Sequence, residues 1–160
     1  MATQGLSAII PLPLLPNDWM LGIQTTARGL RGIVFLPRQR ALAPTTPQAR
    51  RIVSQLENYF ADPAWRFDLP LDLQGSDFQL RVWRRLAAIP PGQPLSYGAL
   101  AADIGSGARA VGNACRRNPV PLVLPCHRVV AKSGLGGFAG STEGGFMPIK
   151  QALLAHESHA

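Results

Sequence analysis

The sequence predicts an α/β protein of two lobes: a small N-terminal lobe with an antiparallel sheet and a helix over 1–75, and a mostly helical lobe over 76–160. Apolar and β-branched residues alternate on both sides of a glycine turn near residue 28, as in a β-hairpin. After residue 76 the apolar residues recur at helical spacing instead. Two of these helical segments flank a second glycine turn, which indicates a helix-turn-helix in a winged-helix-like lobe.

The N-terminal lobe contains a predicted hairpin followed by a helix. Residues 19–36 are predicted to form two strands joined at Ala27-Arg28-Gly29, and a loop rich in Pro and Thr follows over 37–47. Pro47 suits the first turn of a helix that runs to about Phe60, because its ring presets the helical φ. The apolar face of this helix consists of Ile52, Val53, Leu56, Tyr59 and Phe60. Nothing in this lobe indicates chemistry.

The second lobe begins with a capped amphipathic helix. Ser76 is a natural N-cap, and Gln79 stands at the position that completes a capping box. The run Pro90-Pro91-Gly92 then ends the helical pattern. The apolar residues at helical spacing are Phe78, Val82, Trp83, Leu86 and Ile89.

Two short helices are predicted around the second glycine turn. Ser96 caps a helix that runs to Ile104, and Gly105-Ser106-Gly107 forms the turn. A second helix then extends to about Arg117, where Asn118-Pro119 ends it. This arrangement is typical of DNA-binding helix-turn-helix units.

The second of these helices is rich in alanine and glycine. A glycine within a helix costs about 1 kcal/mol relative to alanine, so small residues here indicate close approach by a neighbour. Tight packing against another helix would select the same residues. The arginines at 109, 116 and 117 favour insertion into a DNA groove.

The positive charge of the chain is concentrated in one segment. Of a net charge of +7, residues 78–132 supply seven Arg and one Lys against the single acidic residue Asp103. Such a segment suits a polyanionic partner, although a solubilising surface would account for it equally well. With 46% apolar and 16% charged residues, the composition is that of a globular protein rather than a disordered one.

Membrane insertion, disulfide bonding and metal binding are not expected. No apolar run reaches the roughly 20 residues that cross a bilayer, and the N-terminus lacks the charged start of a secretory signal. We therefore expect a cytoplasmic protein, in which Cys115 and Cys126 remain reduced. Neither cysteine belongs to a paired zinc-binding motif.

A cysteine and a histidine adjoin in the segment "PCHRVV" at 125–130, directly after an apolar run. Free cysteine is often a small core residue, so Cys126 could serve packing alone. With a neighbouring base it could instead form a nucleophilic thiolate. The residues considered so far leave both interpretations open.

Four segments together resemble one protein family. "SYGALA" at 96–101, "ARAVGNACRRNP" at 108–119, "PCHRVV" and "LLAHE" at 153–157 occur in the order and spacing of the O6-alkylguanine-DNA alkyltransferases. The resemblance is strong over about 76–157 and weaker in the N-terminal lobe. It implies DNA repair by irreversible alkyl transfer from O6-alkylguanine, with O4-alkylthymine as a further candidate substrate.

The resemblance implies that Cys126 is the alkyl acceptor, used once. His127 corresponds to the base that acts through a bridging water, and Glu157 corresponds to the carboxylate that orients this histidine. Asn118 corresponds to a hinge asparagine that ties the recognition helix to the cysteine segment. Cys115 corresponds to a packing position. No cofactor or metal is implied.

The resemblance also implies a partner, double-stranded DNA carrying O6-alkylguanine, bound through the minor groove with the target base flipped out. Tyr97 corresponds to a residue that rotates the nucleotide outward, and Arg109 to the finger that fills the vacated stack. The full set of expected DNA contacts is Tyr97, Arg109, Ala110, Gly112, Arg116 and Arg128. The expected pocket for the lesion is formed by Tyr97, Val129, Phe138 and Ala139. We expect a monomer in solution, with cooperativity on DNA as an open alternative, and nucleoid association if the source is bacterial.

Two departures from the family pattern bear on substrate range. The loop after the cysteine is about four residues longer around Thr142–Phe146, and Phe138 stands where tyrosine is common. The alternative function is a non-catalytic protein that binds alkylated bases, but such relatives replace the cysteine. A transcription factor would carry polar base-reading residues on the second helix, and a cysteine hydrolase would not need DNA-binding elements.

Overall fold

A three-stranded antiparallel sheet and one helix form the first of two compact units, Met1–Leu73 and Gln74–Ala160. The computed structural model describes residues 5–138 and 145–160 of the 160-residue chain. The strands are β1 (Ala8–Pro11), β2 (Trp19–Thr26) and β3 (Gly29–Pro37), in the order β1-β2-β3. The α/β class predicted from the sequence is confirmed.

The predicted hairpin is present, and a third strand extends it. Strands β2 and β3 pair from Trp19↔Pro37 to Thr26↔Gly29, which confirms the turn predicted at residues 27–29. Strand β1 was not predicted from the sequence; it pairs with β2 from Ala8↔Ile23 to Pro11↔Met20. Because β1 has only four residues and ends at a proline, its alternation is too short to distinguish a strand from an extended loop.

Helix α1 (Pro47–Ala61) packs its apolar face into this first unit. The hydroxyl of Thr46 accepts a 3.1 Å hydrogen bond from the N–H of Ala49 and caps the helix, and Pro47 occupies the first turn as predicted. Four of the five predicted apolar positions, Ile52, Val53, Leu56 and Tyr59, are buried, and Phe60 is half-buried.

The second unit is mainly helical. Its elements are α2 (Asp77–Leu86), β4 (Leu95–Ser96), α3 (Tyr97–Ile104), α4 (Ala108–Arg116), a 3-10 turn (Cys126–Arg128), β5 (Val129–Val130) and α5 (Met147–Glu157). The Ser76–Gln79 capping box of α2 is formed as predicted. Helix α2 ends at Leu86, so Ile89, expected on the same helix, is buried in the turn that follows it.

The glycine turn between α3 and α4 forms where the sequence predicts it. Ser96 caps α3, and Gly105 ends it with a left-handed φ of 75°, which glycine adopts without steric cost. Helix α4 begins three residues later at Ala108 and ends at Arg116. None of the helices within the described ranges has the length and apolar character needed to cross a membrane.

Candidate active site

The segment between α4 and Cys126 is closed by the side chain of Asn118. Its Nδ2 donates a 2.7 Å hydrogen bond to the carbonyl of Leu124, and its Oδ1 accepts one of 3.0 Å from the N–H of Val120. Within this turn Leu122 has a φ of 74°, which is unfavourable for a residue with a side chain. Leu122 is nevertheless 1% exposed, so its packing and the Asn118 bonds together maintain the strained backbone.

Cys126 follows this turn and is 7% exposed. Burial raises the pKa of its thiol. A hydrogen bond from Asn118 and the positive charge of Lys150 both lower that pKa, without cancelling the effect of burial. The thiol is therefore protonated in the resting protein, and a base must remove its proton before it can act as a nucleophile.

Such a base lies next to it in the chain. His127 Nε2 and Glu157 Oε2 are 2.7 Å apart, and the two side chains are 0% and 1% exposed. Burial has the largest effect on the pKa of His127 and lowers it. The charges of Arg128 and Lys150 lower this pKa further, whereas the hydrogen bond and the charge of Glu157 raise it. His127 is therefore neutral at neutral pH.

The pairing with a carboxylate fixes which imidazole nitrogen carries the proton. A carboxylate accepts hydrogen bonds, so Nε2 of His127 is the N–H and Nδ1 is the acceptor, an assignment made from the hydrogen-bond network. Nδ1 is buried and has no hydrogen-bond partner among residues 5–138 and 145–160. A neutral imidazole with an available lone pair is a suitable general base.

Arg128 belongs to this buried cluster, which corrects its assignment to DNA contact. Its Nε donates to Glu157 Oε1 at 2.8 Å and its Nη2 donates to Glu157 Oε2 at 2.9 Å. Its Nη1 donates to the carbonyl of Ile89 at 2.6 Å. The side chain is buried and its guanidinium is engaged on all three nitrogens, so it does not present its charge to a phosphate.

Lys150, a fully buried amine on α5, was not expected from the sequence. Its Nζ donates to the carbonyls of Val129 at 2.7 Å and Gly137 at 2.8 Å, and lies 5.8 Å from the centre of the Tyr97 ring. Burial lowers the pKa of Lys150 to about 8, and the two cysteines act against this. The available signal was its spacing of seven residues from Glu157, which places both on one face of α5.

Two of the four expected pocket residues, Tyr97 and Val129, contact this lysine. Tyr97 Oη donates a 3.4 Å hydrogen bond to the Gly137 carbonyl that also binds Lys150, while Val129 and Phe138 are buried. Burial, followed by the charges of the two cysteines, raises the pKa of Tyr97 to about 12, so its hydroxyl remains a donor. Ala139 and residues 142–144 of the longer loop lie outside the described residues.

Helix α4 turns its small and basic residues outward. Arg109, Ala110 and Arg116 are exposed, whereas Val111, Ala114 and Cys115 face inward. A Cβ added at Gly112 would meet no described atom closer than Tyr97 Cδ1 at 4.0 Å. Internal packing therefore does not require this glycine, which favours an external partner over the helix-packing alternative.

Comparison with known proteins places the chain in a family. Residues 77–159 match the model of the 6-O-methylguanine DNA methyltransferase DNA-binding domain. A methylated-DNA–protein-cysteine methyltransferase of Mycolicibacterium paratuberculosis is 51% identical over 108 residues, which are 66% of this chain and 62% of that protein. A protein of the same name from Mycobacterium leprae is 46% identical over 128 residues, 78% of this chain and 74% of the relative.

A solved structure is similar over almost the whole chain. The crystal structure of Mycobacterium tuberculosis OGT in complex with DNA has a TM-score of 0.75 and 34% identity, covering 94% of this chain and 92% of that one. The fold is thus that of an alkyltransferase-like protein. The chain belongs to the 6-O-methylguanine DNA methyltransferase family.

Proposed function

We propose that this protein repairs DNA by moving the alkyl group of O6-alkylguanine irreversibly to Cys126. The observation that carries the proposal is the buried His127–Glu157 pair, 2.7 Å apart, beside a buried cysteine. Such a pair can hold a neutral base in one tautomer beside the nucleophile, as in a catalytic triad. O4-alkylthymine is a second candidate substrate of the same site.

The proposed chemistry balances without a cofactor. The Cys126 thiol proton passes through a water to Nδ1 of His127, the sulfur attacks the alkyl carbon, and the carbon–O6 bond breaks with its electron pair going to O6. Guanine takes up one proton as the thiol loses one, so no further reactant is needed. No residue in the described site offers a route for cleaving the resulting thioether, so each protein acts once.

We further propose that α3, the glycine turn and α4 form a helix-turn-helix that binds the minor groove, in a winged-helix-like domain over 76–160. The exposed Arg109, Ala110 and Arg116, together with Gly112, would face the groove, and Tyr97 and Arg109 would flip the lesion out of the helix. We also propose that the protein acts in the cytoplasm, and on the nucleoid if its source is bacterial. It would bind as a monomer.

Intact-protein mass spectrometry tests the transfer itself. Incubation with a duplex containing O6-methylguanine should add one methyl group to the peptide that contains Cys126. Cys126→Ala should take up none, whereas the matched variant Cys115→Ala should still take up one, because it keeps Cys126 and the His127–Glu157 pair. Repeated turnover by one protein molecule would contradict the proposal, and DNA binding without transfer would favour the non-catalytic alternative.

DNA binding is tested separately from chemistry. Affinity should depend little on sequence and fall steeply with salt, because phosphate contacts release counterions. Arg109→Ala should slow the repair of duplex DNA more than the reaction with free O6-benzylguanine, which needs no flipping. Equal losses on both substrates would exclude a role for Arg109 in base extrusion.

A further inference from the structure

The guanidinium of Arg128 binds the carboxylate of Glu157, which itself binds the candidate base His127. Two of its nitrogens donate to the two oxygens of Glu157 at 2.8 and 2.9 Å, and one of these oxygens also faces His127 Nε2 at 2.7 Å. All three side chains are buried. Fork-shaped pairs of this kind fix the plane of a carboxylate as well as its position, because both bonds must stay aligned.

The same cluster is held from its other side by the turn after α2. The third guanidinium nitrogen of Arg128 donates to Ile89 at 2.6 Å, which prevents the fork from rotating. Three residues further on, Gly92 has a φ of 79°, and a Cβ there would lie 3.0 Å from the main-chain oxygen of Glu157. The turn therefore positions both partners of the ion pair.

This geometry determines the state of the imidazole. With Glu157 fixed as an acceptor, His127 keeps its proton on Nε2 and its lone pair on Nδ1. If the guanidinium were absent, the buried carboxylate would lose two charged donors, and it would either bind a proton or rotate away from the imidazole. Either change allows the second tautomer, in which Nδ1 carries the proton and cannot accept another.

We propose that Arg128 is a positioning residue for alkyl transfer, whose fork holds Glu157 so that His127 remains in the tautomer that can accept the Cys126 proton. Only the expected effect on the transfer rate rests on the proposed function; the expected effect on the His127 tautomer does not. The planar shape of the Arg128 guanidinium matters more than its charge, because a lysine would donate from a single point instead of forming two aligned hydrogen bonds with Glu157. Among the described residues, Lys150 of α5 also lowers the pKa of both His127 and Cys126, and the charge of Cys126 in turn raises the pKa of Cys115 of α4 and Tyr97 of α3.

The direct test is the tautomer of His127 in the free protein. In 15N NMR spectra the parent should show one protonated and one unprotonated ring nitrogen, with Nε2 protonated. Arg128→Met should give a mixture of tautomers, and so should Arg128→Lys. Arg85→Met is the matched control, because it breaks a 2.8 Å salt bridge with Asp103, outside the cluster, and should leave the His127 signals unchanged.

The kinetic test is single-turnover transfer from O6-benzylguanine as a function of pH. Arg128→Met and Arg128→Lys should both slow transfer roughly 10- to 100-fold, the scale expected when a catalytic group is misplaced. If Arg128→Met destabilises the protein, Gly92→Ala provides a second variant: it keeps the guanidinium but displaces the Glu157 main chain, and it should slow transfer and mix the tautomers to a smaller extent.

Two results would overturn the inference. One is an unchanged His127 tautomer in Arg128→Met, and the other is full recovery of the rate by Arg128→Lys, which would show that charge alone suffices. A parent protein that transfers no alkyl group would contradict the proposed function instead. The NMR measurement would still decide whether Arg128 sets the state of His127.

Discussion

The indole N–H of Trp83 donates a buried 2.8 Å hydrogen bond to the main-chain oxygen of Ala114. This bond joins α2 to the last turn of α4, where the same carbonyl also accepts a 3.2 Å hydrogen bond from the main-chain N–H of Arg117. Two arginines of α2 bind the end of α3 in a similar way. Arg81 donates a hydrogen bond to the carbonyl of Ile104, and Arg85 donates one to the carboxylate of Asp103. Helix α2 is thus the support on which both helices of the proposed DNA-binding unit are fixed.

Replacing this indole should destabilise the protein. Trp83→Phe removes one of the two donors to the Ala114 carbonyl, at a cost of about 0.5–1.5 kcal/mol in the free energy of unfolding. Trp65→Phe is the matched control, because the Trp65 N–H is buried with no partner among the described residues and its loss removes no hydrogen bond. Urea unfolding of both variants measures the difference. Equal losses of stability would mean that the Trp83 bond contributes nothing.

Removing the charge of Glu157 should affect chemistry more than folding. Glu157→Gln keeps the size of the side chain but ends the charge-assisted bond to His127, so the base weakens. We expect slower transfer at neutral pH and partial recovery as rising pH ionises Cys126 without help. The pH–rate profile of single-turnover transfer checks this. If the profiles of variant and parent superimpose, Glu157 does not assist proton transfer from Cys126 to His127.

Lys150 should assist the thiol only while it is charged. Its positive charge lowers the pKa of Cys126, and its own pKa is about 8, so the assistance is present below pH 8 and is lost as the pH rises through it. Lys150→Gln should therefore react more slowly than the parent with O6-benzylguanine at pH 7, because the pKa of Cys126 is no longer lowered by this charge. The deficit should shrink in alkaline solution.

The exposed Lys132 provides the control for this experiment. Lys132→Gln removes the same charge from the same lobe, and the free base substrate avoids any effect on DNA binding. Its rates should follow those of the parent at every pH. A deficit of Lys150→Gln that stayed constant across the pH range would show that the lysine acts through packing and hydrogen bonds rather than through its charge.

The buried, neutral His127 should make the protein sensitive to acid. An unfolded histidine titrates near pH 6.5. The pKa of His127 is lower in the folded state than in the unfolded state. Acidification below pH 6.5 therefore protonates this histidine in the unfolded chain first, and the free energy of unfolding falls. We expect a loss of about 1 kcal/mol between pH 7.5 and 5.5 from this group. Urea unfolding at both pH values should show a smaller loss in His127→Gln, and an unchanged loss in the control His159→Gln.

The helices of this protein could be predicted because their signals are local. Ser76, Ser96 and Pro47 mark helix starts within one or two residues, and Gly105 marks an end, since capping and φ preferences depend on a few neighbouring atoms. Strand β1 could not be predicted in the same way. Its identity depends on pairing with residues 9 to 15 positions away, and four residues carry too little periodicity.

The ion pair beside the candidate base could not be predicted from the sequence, for a related reason. Arg128 and Glu157 are 29 residues apart, and nothing near Arg128 in the chain distinguishes a buried guanidinium from one that contacts phosphate. Lys150 posed the same difficulty, because its acceptors are main-chain carbonyls that carry no sequence signature. Both residues lie in the positively charged or amphipathic segments where a solvent-exposed side chain is the ordinary expectation.

The separation of His127 from its carboxylate also imposes an order on synthesis. A chain leaves the ribosome from its N-terminus at about 5–20 residues per second, so the 30 residues between His127 and Glu157 take roughly 2–6 s to follow. During that interval Cys126 has been synthesised, but the carboxylate of α5 has not. A nascent chain therefore carries the thiol without its activating groups, and competence for repair appears only after helix α5 has been translated and has docked.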